Sequence, residues 1–221
     1  TGAARGSAAP FEAHCWVLLA RHQAARHPAL FGPHDEGAGW HMALTPAVVD
    51  SLAEDFGAAH ELFASPLNAA LPGYCSVFPD VDARFGSSGS FFSFCGTLAS
   101  EGGSFECNPP FEEHLLRRAV CAVLEALAAS TRPLSVAAIL PDWPDSEALD
   151  IAASSPHCRA QLRIAGEQHA YLNGRQHCCQ PRHRVLRQAV GRGCVVIFLQ
   201  NEAGATTWPV TANRLERHHR A

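Results

Sequence analysis

The chain contains no lysine, and its 17 arginines are its only side chains of that basic pair. Arginine binds phosphate with a planar fork and is compatible with nucleic-acid binding, but coding bias is the simpler explanation. There is also no apolar run long enough to span a bilayer, no signal-peptide pattern, no internal repeat and no glycine-rich phosphate loop of the GxGxxG or GxxxxGK type. These absences favour a soluble intracellular protein.

The nine cysteines include no CxxC pair, and reduced thiols fit this spacing better than a disulfide framework does. The run His177-Cys178-Cys179 with His183 raises the question of a zinc site. Adjacent cysteines point apart on a regular backbone, and the sequence has no second paired knuckle. We therefore expect no metal.

Length and charge bound the class of protein. With 221 residues, 47% of them hydrophobic, one α/β domain with a sizeable core is expected, and the start at Thr1 instead of Met predicts a fragment. Residues 1–149 carry 7 arginines and 17 acids, a net −10, whereas residues 150–221 carry 10 arginines and 4 acids, a net +6. A basic carboxyl-terminal third is typical of a phosphate-contacting surface, with a solvated face as the equal alternative.

The stretch Ser104–Phe111 carries the chemistry. It predicts a short strand that ends at Pro109 and Pro110, because proline cannot donate a hydrogen bond to a neighbouring strand. Asn108 is then expected at the carboxyl edge of the sheet, where open α/β sheets bind their ligands.

The Asn108–Phe111 tetrad suits a reaction at a planar exocyclic amine. The Asn108 side-chain carbonyl and the Pro109 backbone carbonyl can each accept one N–H of the amine, and Phe111 offers a flat face for its ring. The alternative is a strand ending in a proline turn, with Phe111 in the core. At the level of this motif, adenine, cytosine and glutamine side-chain amines are all candidate acceptors.

Periodicity and turn residues predict the elements around the tetrad. Helices are predicted over 11–26, 46–56, 112–129 and from Thr211, with a loop or short helix over 145–158. Strands are predicted over 60–65, 91–94, 104–107, 134–140, 161–164 and 194–199, with a possible short strand between loops 79–82 and 85–89 and a turn over 171–174. Strand, helix and strand in succession argue for parallel pairing.

Three groups at predicted strand ends are candidate ligand contacts. The turn Ser65–Asn68 offers a hydroxyl, an amide and backbone N–H groups to a carboxylate. The acids Asp80 and Asp82 would hold a ribose or be solvated, and Trp143 would form a second wall of the amine pocket or a structural contact.

Several of these stretches together resemble one family, the phosphorylated-CTD-interacting-factor family of cap-specific mRNA adenosine N6-methyltransferases. The stretches that match in order and spacing are Glu61–Asn68, Tyr74–Asp80, Phe85–Ser87, Gly103–Phe111, Pro133–Ser135, Pro141–Trp143, Gln176–His177 and Phe198–Asn201. They extend over roughly residues 11–217, which makes the resemblance far more specific than the tetrad alone.

The resemblance implies an α/β, Rossmann-like methyltransferase that uses S-adenosylmethionine and has a mostly parallel central sheet with flanking helices. It implies methyl transfer to N6 of the 2′-O-methyladenosine next to the N7-methylguanosine cap of mRNA, and nuclear localisation, with the cytoplasm as the alternative. Asn108, Pro109, Pro110 and Phe111 would hold and stack the adenine. The expected domains are a disordered terminus or vector-derived scar over 1–10, a helical lead-in over 11–57 and the methyltransferase core over 58–217.

The remaining site residues are also expectations from position and resemblance. The methionine end of the cofactor would be bound by Phe63, Ala64, Ser65, Pro66 and Asn68. Two loops are alternatives for its adenosine, one with Gly86 and Ser87 and the other with Asn201. The substrate would be bound by Trp143, Arg175, Arg182, Arg184 and Arg187.

The chain also departs from the family. From the resemblance we expect the amino-terminal WW domain and much of the helical region that helps bind the cap to be missing, and Cys179, Gln180 and Pro181 to stand in place of basic residues. A protein partner supplying the missing surface is therefore one expectation. Two other hypotheses stay open: an N6-adenine methyltransferase on DNA or uncapped RNA, and a non-catalytic subunit that binds nucleic acid or a partner.

Overall fold

A computed structural model of the chain describes residues 10–25, 41–174, 177, 179–187 and 191–220. The strands in this part of the chain are β1 (Ala43–Leu44), β2 (His60–Ala64), β3 (Gly73–Ser76), β4 (Gly103–Cys107), β5 (Leu134–Pro141), β6 (Cys158–Ala165), β7 (Ala170–Leu172), β8 (Val185–Arg187) and β9 (Gly193–Gln200). The α-helices are α1 (Phe11–Ala24), α2 (Pro46–Phe56), α3 (Pro79–Asp82), α4 (Phe91–Glu101), α5 (Glu113–Ala129), α6 (Glu147–Ser154), α7 (Glu202–Thr207) and α8 (Ala212–Arg220).

Six strands form the central sheet in the order β3-β2-β4-β5-β9-β6. The pairs β3–β2, β2–β4 and β4–β5 are parallel, whereas β9 runs antiparallel to both β5 and β6. The prediction of an α/β, Rossmann-like methyltransferase fold with a mostly parallel sheet is confirmed. Among the described residues, no helix is both long and apolar enough to cross a membrane.

Helices cover both faces of the sheet. On one face, α4, α5 and α6 pack their apolar side chains on β2, β4, β5 and β9, and on the other face α2 and α8 pack on β5, β9 and β6. Every residue of β5 and of β9 is buried. This burial on two faces explains why both strands are continuous apolar runs in the sequence.

Local signals fix the helix ends. Pro46 occupies the first turn of α2, and the helix ends at Gly57, whose φ of 69° is unfavourable for residues with a side chain. The Glu112 carboxylate accepts hydrogen bonds from the backbone N–H groups of His114 and Leu115 and so caps α5. Both predicted helices are confirmed.

Three predicted elements are wrong. Phe91–Phe94 is the first turn of α4 and not a strand, because the apolar side chains continue at helical spacing through Cys95 to the buried Leu98. No strand lies between 79–82 and 85–89, which form α3, a 3₁₀ turn and a loop; the second strand of the sheet is the earlier β3. Of the predicted turn over 171–174, the first two residues, Tyr171 and Leu172, belong to strand β7.

A second, three-stranded sheet in the order β1-β7-β8 joins the helical lead-in to β8, which lies in the arginine-rich residues 175–192, here called the basic segment. Tyr171 in β7 pairs with Leu44 on one side and Leu186 on the other. The lead-in therefore contributes a strand to a sheet that the later part of the chain completes. The domain boundaries remain a prediction, and residues 1–9 lie outside the described part.

Gly204 in α7 supports a prediction about packing at the amino-terminal end of β5. A Cβ at this glycine would lie 2.2 Å from the Leu134 carbonyl oxygen, which is a backbone atom that cannot move aside. Gly204→Ala should therefore lower the free energy of unfolding by about 1–3 kcal/mol, measured by urea denaturation, although alanine is the better helix former.

Gly96→Ala in α4 is the matched control, because nothing lies within 4 Å of the added Cβ. It should raise the free energy of unfolding by about 0.5–1 kcal/mol. Stabilisation by both substitutions would contradict the close packing of α7 against β5.

Candidate active site

A cavity of about 680 Å³ opens at the carboxyl ends of β2, β3 and β4. From β2 the chain moves to β3 on one side, then returns to β4 on the other side of β2. The order of strands thus reverses at β2, and such a reversal leaves a crevice in which open α/β sheets bind ligands. The cavity lies where the predicted first strand and the tetrad strand end.

All four residues of the tetrad line the cavity. The Asn108 side chain is partly exposed and forms no hydrogen bond with any described residue. The Glu112 N–H donates to the Pro110 carbonyl over 2.8 Å, whereas no described residue donates to the Pro109 carbonyl. Two residues of the cavity lining, Asn108 and Pro109, therefore each have a carbonyl acceptor without a donor in the described part of the chain.

Phe111 is held from two sides by other aromatic rings. Trp143 packs edge-on against it with ring centroids 6.3 Å apart, and Tyr171 does so at 6.1 Å. Tyr171 also lines the cavity, but Trp143 does not. Trp143 follows β5 at the expected edge of the sheet and packs against Phe111. Because Trp143 itself does not line the cavity, its role as a second wall of the pocket stays a prediction.

The turn after β2 forms a second side of the cavity. The Ser65 hydroxyl donates to Asn68 Oδ1 over 2.7 Å and accepts from the Leu67 N–H, and Asn68 Nδ2 donates to the His41 carbonyl. Of the residues predicted to bind the cofactor, Phe63, Ala64, Ser65 and Asn68 line the cavity. Pro66 is not part of its lining and shapes the turn.

The helix α4 begins at the cavity. Ser90, Phe91 and Phe92 line it, and the rings of Phe63, Phe91 and Phe92 contact one another at centroid distances of 4.9 to 6.2 Å. The guanidinium of Arg118, in α5, lies 4.4 Å from the centre of the Phe92 ring. This wall is apolar, with a cation on its outer side.

The lead-in segment closes the cavity through a buried histidine. His22 Nε2 lies 3.0 Å from Asp82 Oδ1, and both side chains are fully buried. Its ring contacts those of His41 and Phe78 edge-on, and all three residues line the cavity. Asp80 forms a salt bridge with Arg21. Since both acids have protein partners, the idea that they hold a ribose is not supported.

The loop over 85–89 lies beside the cavity without lining it. Gly86 adopts a φ of 94° after the 3₁₀ turn, and the Ser87 hydroxyl lies 2.6 Å from that of Ser76, a residue of the cavity wall. The Tyr74 hydroxyl donates to the Phe85 carbonyl over 2.6 Å. Ser87 thus does not line the cavity itself but contacts Ser76, which does.

Asn201 lies at the opposite edge of the sheet. Its side chain accepts hydrogen bonds from the N–H groups of Leu134 and Gly204 and donates to the carbonyls of Ser130 and Arg132. Because β9 runs antiparallel, the residue that follows it meets the amino-terminal end of β5, far from the cavity. Asn201 therefore does not line the cavity, and its binding of the cofactor stays a prediction.

The basic segment reaches the cavity wall through the pairing of Leu186 with Tyr171 and through a hydrogen bond of His177. His177 donates a hydrogen bond from Nε2 to the Leu67 carbonyl, in the turn that lines the cavity. Arg182, Arg184 and Arg187 are exposed and form no ion pair with any described residue, and none of them lines the cavity. Arg175 lies outside the described residues. Where the structure describes the chain, no group of histidines, cysteines and acids is arranged to hold a metal.

Two buried carboxyl groups lie side by side in the sheet, one in β4, which leads to the tetrad, and one in its neighbour β2. Glu61 in β2 and Glu106 in β4 are direct neighbours in the parallel register. Glu61 Oε1 accepts from the N–H groups of Ala70 and Leu71, while Glu106 Oε2 has no partner among the described residues. Burial raises the pKa of both, and the Glu61 charge raises that of the fully buried Glu106 further.

His22, Glu112 and Tyr171 are among the contributors to the site that sequence reasoning missed. Glu112 carries a signal, since an acid directly before an apolar helical pattern predicts a cap. His22 and Tyr171 carry none, because each reaches the cavity through packing between segments that are distant in the sequence.

Comparison with known proteins gives concordant matches. Residues 3–174 match the family model described as "Phosphorylated CTD interacting factor 1 WW domain". The mRNA (2′-O-methyladenosine-N(6)-)-methyltransferase of Homo sapiens is 38% identical over 203 residues, which is 91% of this chain and 27% of the relative. The protein of the same name from Mus musculus is 37% identical over the same shares. The chain thus spans about a quarter of the length of these curated relatives.

The pKa of Glu106 predicts how stability depends on pH. Because this pKa is higher in the folded chain, the unfolded chain releases the proton first as the pH rises above the ordinary carboxyl range, and the folded state loses stability. Glu106→Gln should therefore unfold at higher urea concentration than the wild type at pH 7, with a difference that shrinks towards pH 4. Parallel stability curves from pH 4 to pH 8 would contradict a neutral, buried Glu106.

Proposed function

Because the chain belongs to the phosphorylated CTD interacting factor 1 family, we propose that it is a methyltransferase that transfers a methyl group from S-adenosylmethionine to N6 of adenosine. The relatives act, by their names, on 2′-O-methyladenosine of mRNA. We extend that substrate to this chain as part of the proposal.

One observation carries the proposal. Beside a cavity that Phe111 also lines, no described residue donates to the side-chain carbonyl of Asn108 or to the backbone carbonyl of Pro109. An exocyclic amine on a flat ring offers the two N–H donors that these acceptors lack, and the ring can stack on Phe111. A neutral asparagine accepts these bonds without removing a proton from the amine.

The residues around the cavity fit S-adenosylmethionine. A volume of about 680 Å³ lies within the range of pockets that hold drug-sized ligands. The Ser65–Asn68 turn and the first turn of α4 present polar backbone and hydroxyl groups, while Phe63, Phe91 and Phe92 supply apolar area. When bound, the cofactor supplies a methyl group attached to a positively charged sulfur, and the methyl carbon is the electrophile.

The protein's part in the reaction is positioning. Asn108 and Pro109 would accept both amine hydrogens and so orient the nitrogen lone pair out of the plane of the base. S-adenosylmethionine, held by the Ser65–Asn68 turn and the first turn of α4, would supply the methyl group. The new N–C bond would replace the C–S bond, whose electron pair would return to sulfur, and the surplus amine proton would pass to solvent. The two carbonyl dipoles stabilise the positive charge that develops on the nitrogen. Trp143 and Tyr171 fix the plane of Phe111 and hence of the base.

The basic segment supports a nucleic-acid substrate. Its exposed Arg182, Arg184 and Arg187 have no acidic partners in the described part of the chain, and its His177 is bound to a turn on the cavity wall. These charges can contact phosphates of a strand whose base enters the cavity.

Charge also bears on partners and location. Because the chain has a net charge of −4 and spans 27% of its relatives, we propose that a protein partner or further sequence helps to hold the RNA. The family description, with its reference to a phosphorylated CTD, supports a nuclear role.

Asn108→Ala tests the mechanism. The substitution removes one of the two carbonyl acceptors, so methyl transfer to RNA beginning with capped 2′-O-methyladenosine should fall by roughly 100-fold or more. Binding of S-adenosylmethionine, measured by calorimetry, should stay within about twofold, because the fold does not depend on this side chain.

Asn213→Ala, at an exposed position in α8, serves as the matched control and should retain full activity. Turnover by Asn108→Ala at the control's rate would contradict the proposed mechanism.

The arginines predict a dependence on salt. Replacing Arg182, Arg184 and Arg187 by Gln should weaken RNA binding and reduce the slope of log K against log salt by about 0.7 for each phosphate that the variant no longer binds. In contrast, Gln at Arg117 and Arg159, which are paired with Glu147 and Glu202, should leave this slope unchanged. Equal slopes for the wild type and the triple variant, measured by fluorescence anisotropy, would argue against contact between the basic segment and phosphate.

A further inference from the structure

Two arginines lie over aromatic rings of the cavity wall, and only one of them has an acidic partner. The guanidinium carbon of Arg21 lies 5.2 Å from the centre of the Phe78 ring, and Arg21 also forms an ion pair with Asp80 at 3.0 Å. That of Arg118 lies 4.4 Å from the centre of the Phe92 ring. Both rings line the cavity, but the Arg118 side chain forms no ion pair and no hydrogen bond with any described residue.

A guanidinium can use its face and its edge at the same time. The face packs on an aromatic ring, while the N–H donors point outward in the plane of the group. Arg21 shows both uses, because its Nη2 donates to Asp80 while the guanidinium lies over Phe78. Arg118 uses only its face within the described part of the chain, so its edge can bind an oxyanion that the protein does not supply.

The neighbours of Arg118 on its own helix do not neutralise its charge. The residues three and four positions away on α5 are His114, Leu115, Cys121 and Ala122, and none of them is acidic. The adjacent Arg117 differs, since Glu113 lies four positions before it and Glu147 forms an ion pair with it at 3.6 Å. Two consecutive arginines thus have different surroundings.

Arg118 lies at the mouth of the cavity, on the side of α4 and α5. Leu115, three positions before it on α5, lines the cavity, as does Phe92. Glu112 also lines the cavity and is exposed, so the cavity opens to solvent where α5 begins. The Glu112 carboxylate accepts from two N–H groups of the helix and lies about two turns before Arg118. The exposed Arg118 guanidinium therefore stands outside the cavity, beside its opening.

The basic segment reaches the cavity from the other side. Its strand β8 belongs to the same sheet as β1, and β1 leads directly into α2. Helix α2 packs on the face of the central sheet opposite to α4 and α5. A nucleotide within a single strand has a phosphate on each side of its sugar. The basic segment and Arg118 are thus placed to contact the strand on both sides of one nucleotide.

Building on the proposed methyl transfer to an adenosine in nucleic acid, we propose that Arg118 binds a backbone phosphate next to the nucleotide whose base enters the cavity. The guanidinium stays over Phe92, and its edge donates hydrogen bonds to the phosphate oxygens. Contact with Phe92 limits the conformations of the arginine, which reduces the entropy lost on binding. The contact positions the strand and does not read its sequence.

The consecutive arginines provide a matched pair of variants. Arg118→Gln removes the cation at the cavity mouth that has no acidic partner, whereas Arg117→Gln removes one that is paired with Glu147. Both side chains are exposed, and both substitutions change the net charge equally. A third variant, Arg118→Lys, keeps the charge but loses the planar fork.

Binding is measured by fluorescence anisotropy at several salt concentrations, with a short single-stranded RNA and protein saturated with S-adenosylhomocysteine. Arg118→Gln should bind about threefold to fivefold more weakly, and its slope of log K against log salt should fall by about 0.7, the value for one phosphate contact on a single strand. Arg117→Gln should keep the slope of the wild type, and Arg118→Lys should keep most of it. Calorimetry should give all four proteins the same affinity for S-adenosylhomocysteine.

Uncharged linkages then locate the contact. RNAs that carry a single methylphosphonate, placed in turn on either side of the target nucleotide, are titrated into the wild type and Arg118→Gln. The wild type should lose affinity when the linkage that Arg118 binds is uncharged. Arg118→Gln should lose nothing further at that linkage and should still lose affinity at linkages bound by other residues.

Equal slopes for the wild type and Arg118→Gln, or an equal fall in slope with Arg117→Gln, overturn the inference. Weaker binding of S-adenosylhomocysteine by Arg118→Gln with unchanged RNA binding also overturns it, because the arginine would then bind the cofactor carboxylate. A wild type that binds phosphate through Arg118 but methylates neither RNA nor DNA refutes the proposed reaction and leaves the contact standing. Methyl transfer by a wild type whose salt slope equals that of Arg118→Gln does the reverse.

Discussion

Two consecutive prolines end strand β4 in the middle of a parallel sheet, and neither can donate a hydrogen bond to the strands on either side. The ladder therefore stops after Cys107, and the chain must leave the sheet. Asn108 is the first residue past this point, and Glu112 then starts α5 by capping its free N–H groups. The position of the tetrad thus depends on the missing N–H groups of the two prolines. Because β4 ends at the ligand-binding edge of the sheet, these prolines place Asn108 beside the cavity.

The reversal of strand order at β2 gives the proline stop its functional setting. Strands β2 and β4 are neighbours, but the chain visits β3 between them, so the loops after β2 and β4 leave the sheet on opposite sides of a crevice. One loop is the Ser65–Asn68 turn and the other is the tetrad. A ligand in the cavity can touch both, which is the geometry that two-substrate group transfer requires.

Local signals predicted much of this arrangement. Proline and glycine fixed the ends of α2 and β4, and continuous apolar runs identified β5 and β9, because strands buried on two faces have no polar residues. Phe91–Phe94 was wrongly predicted as a strand, because its helical spacing is visible only when the following turn is counted. The sequence also does not show that β9 runs antiparallel, which places Asn201 away from the cavity. Tyr171 and His22 reach the cavity by tertiary packing, for which the sequence offers no periodic pattern.

The central claim is that one cavity brings a methyl donor to an adenine amine. Transfer of a labelled methyl group from S-adenosylmethionine should be measured on RNA beginning with capped 2′-O-methyladenosine, on the same RNA without a cap, and on DNA of that sequence. The account predicts label on N6 of the first adenosine of the capped RNA and far less on the other two. No transfer to any of them by a protein that still binds S-adenosylmethionine would contradict it.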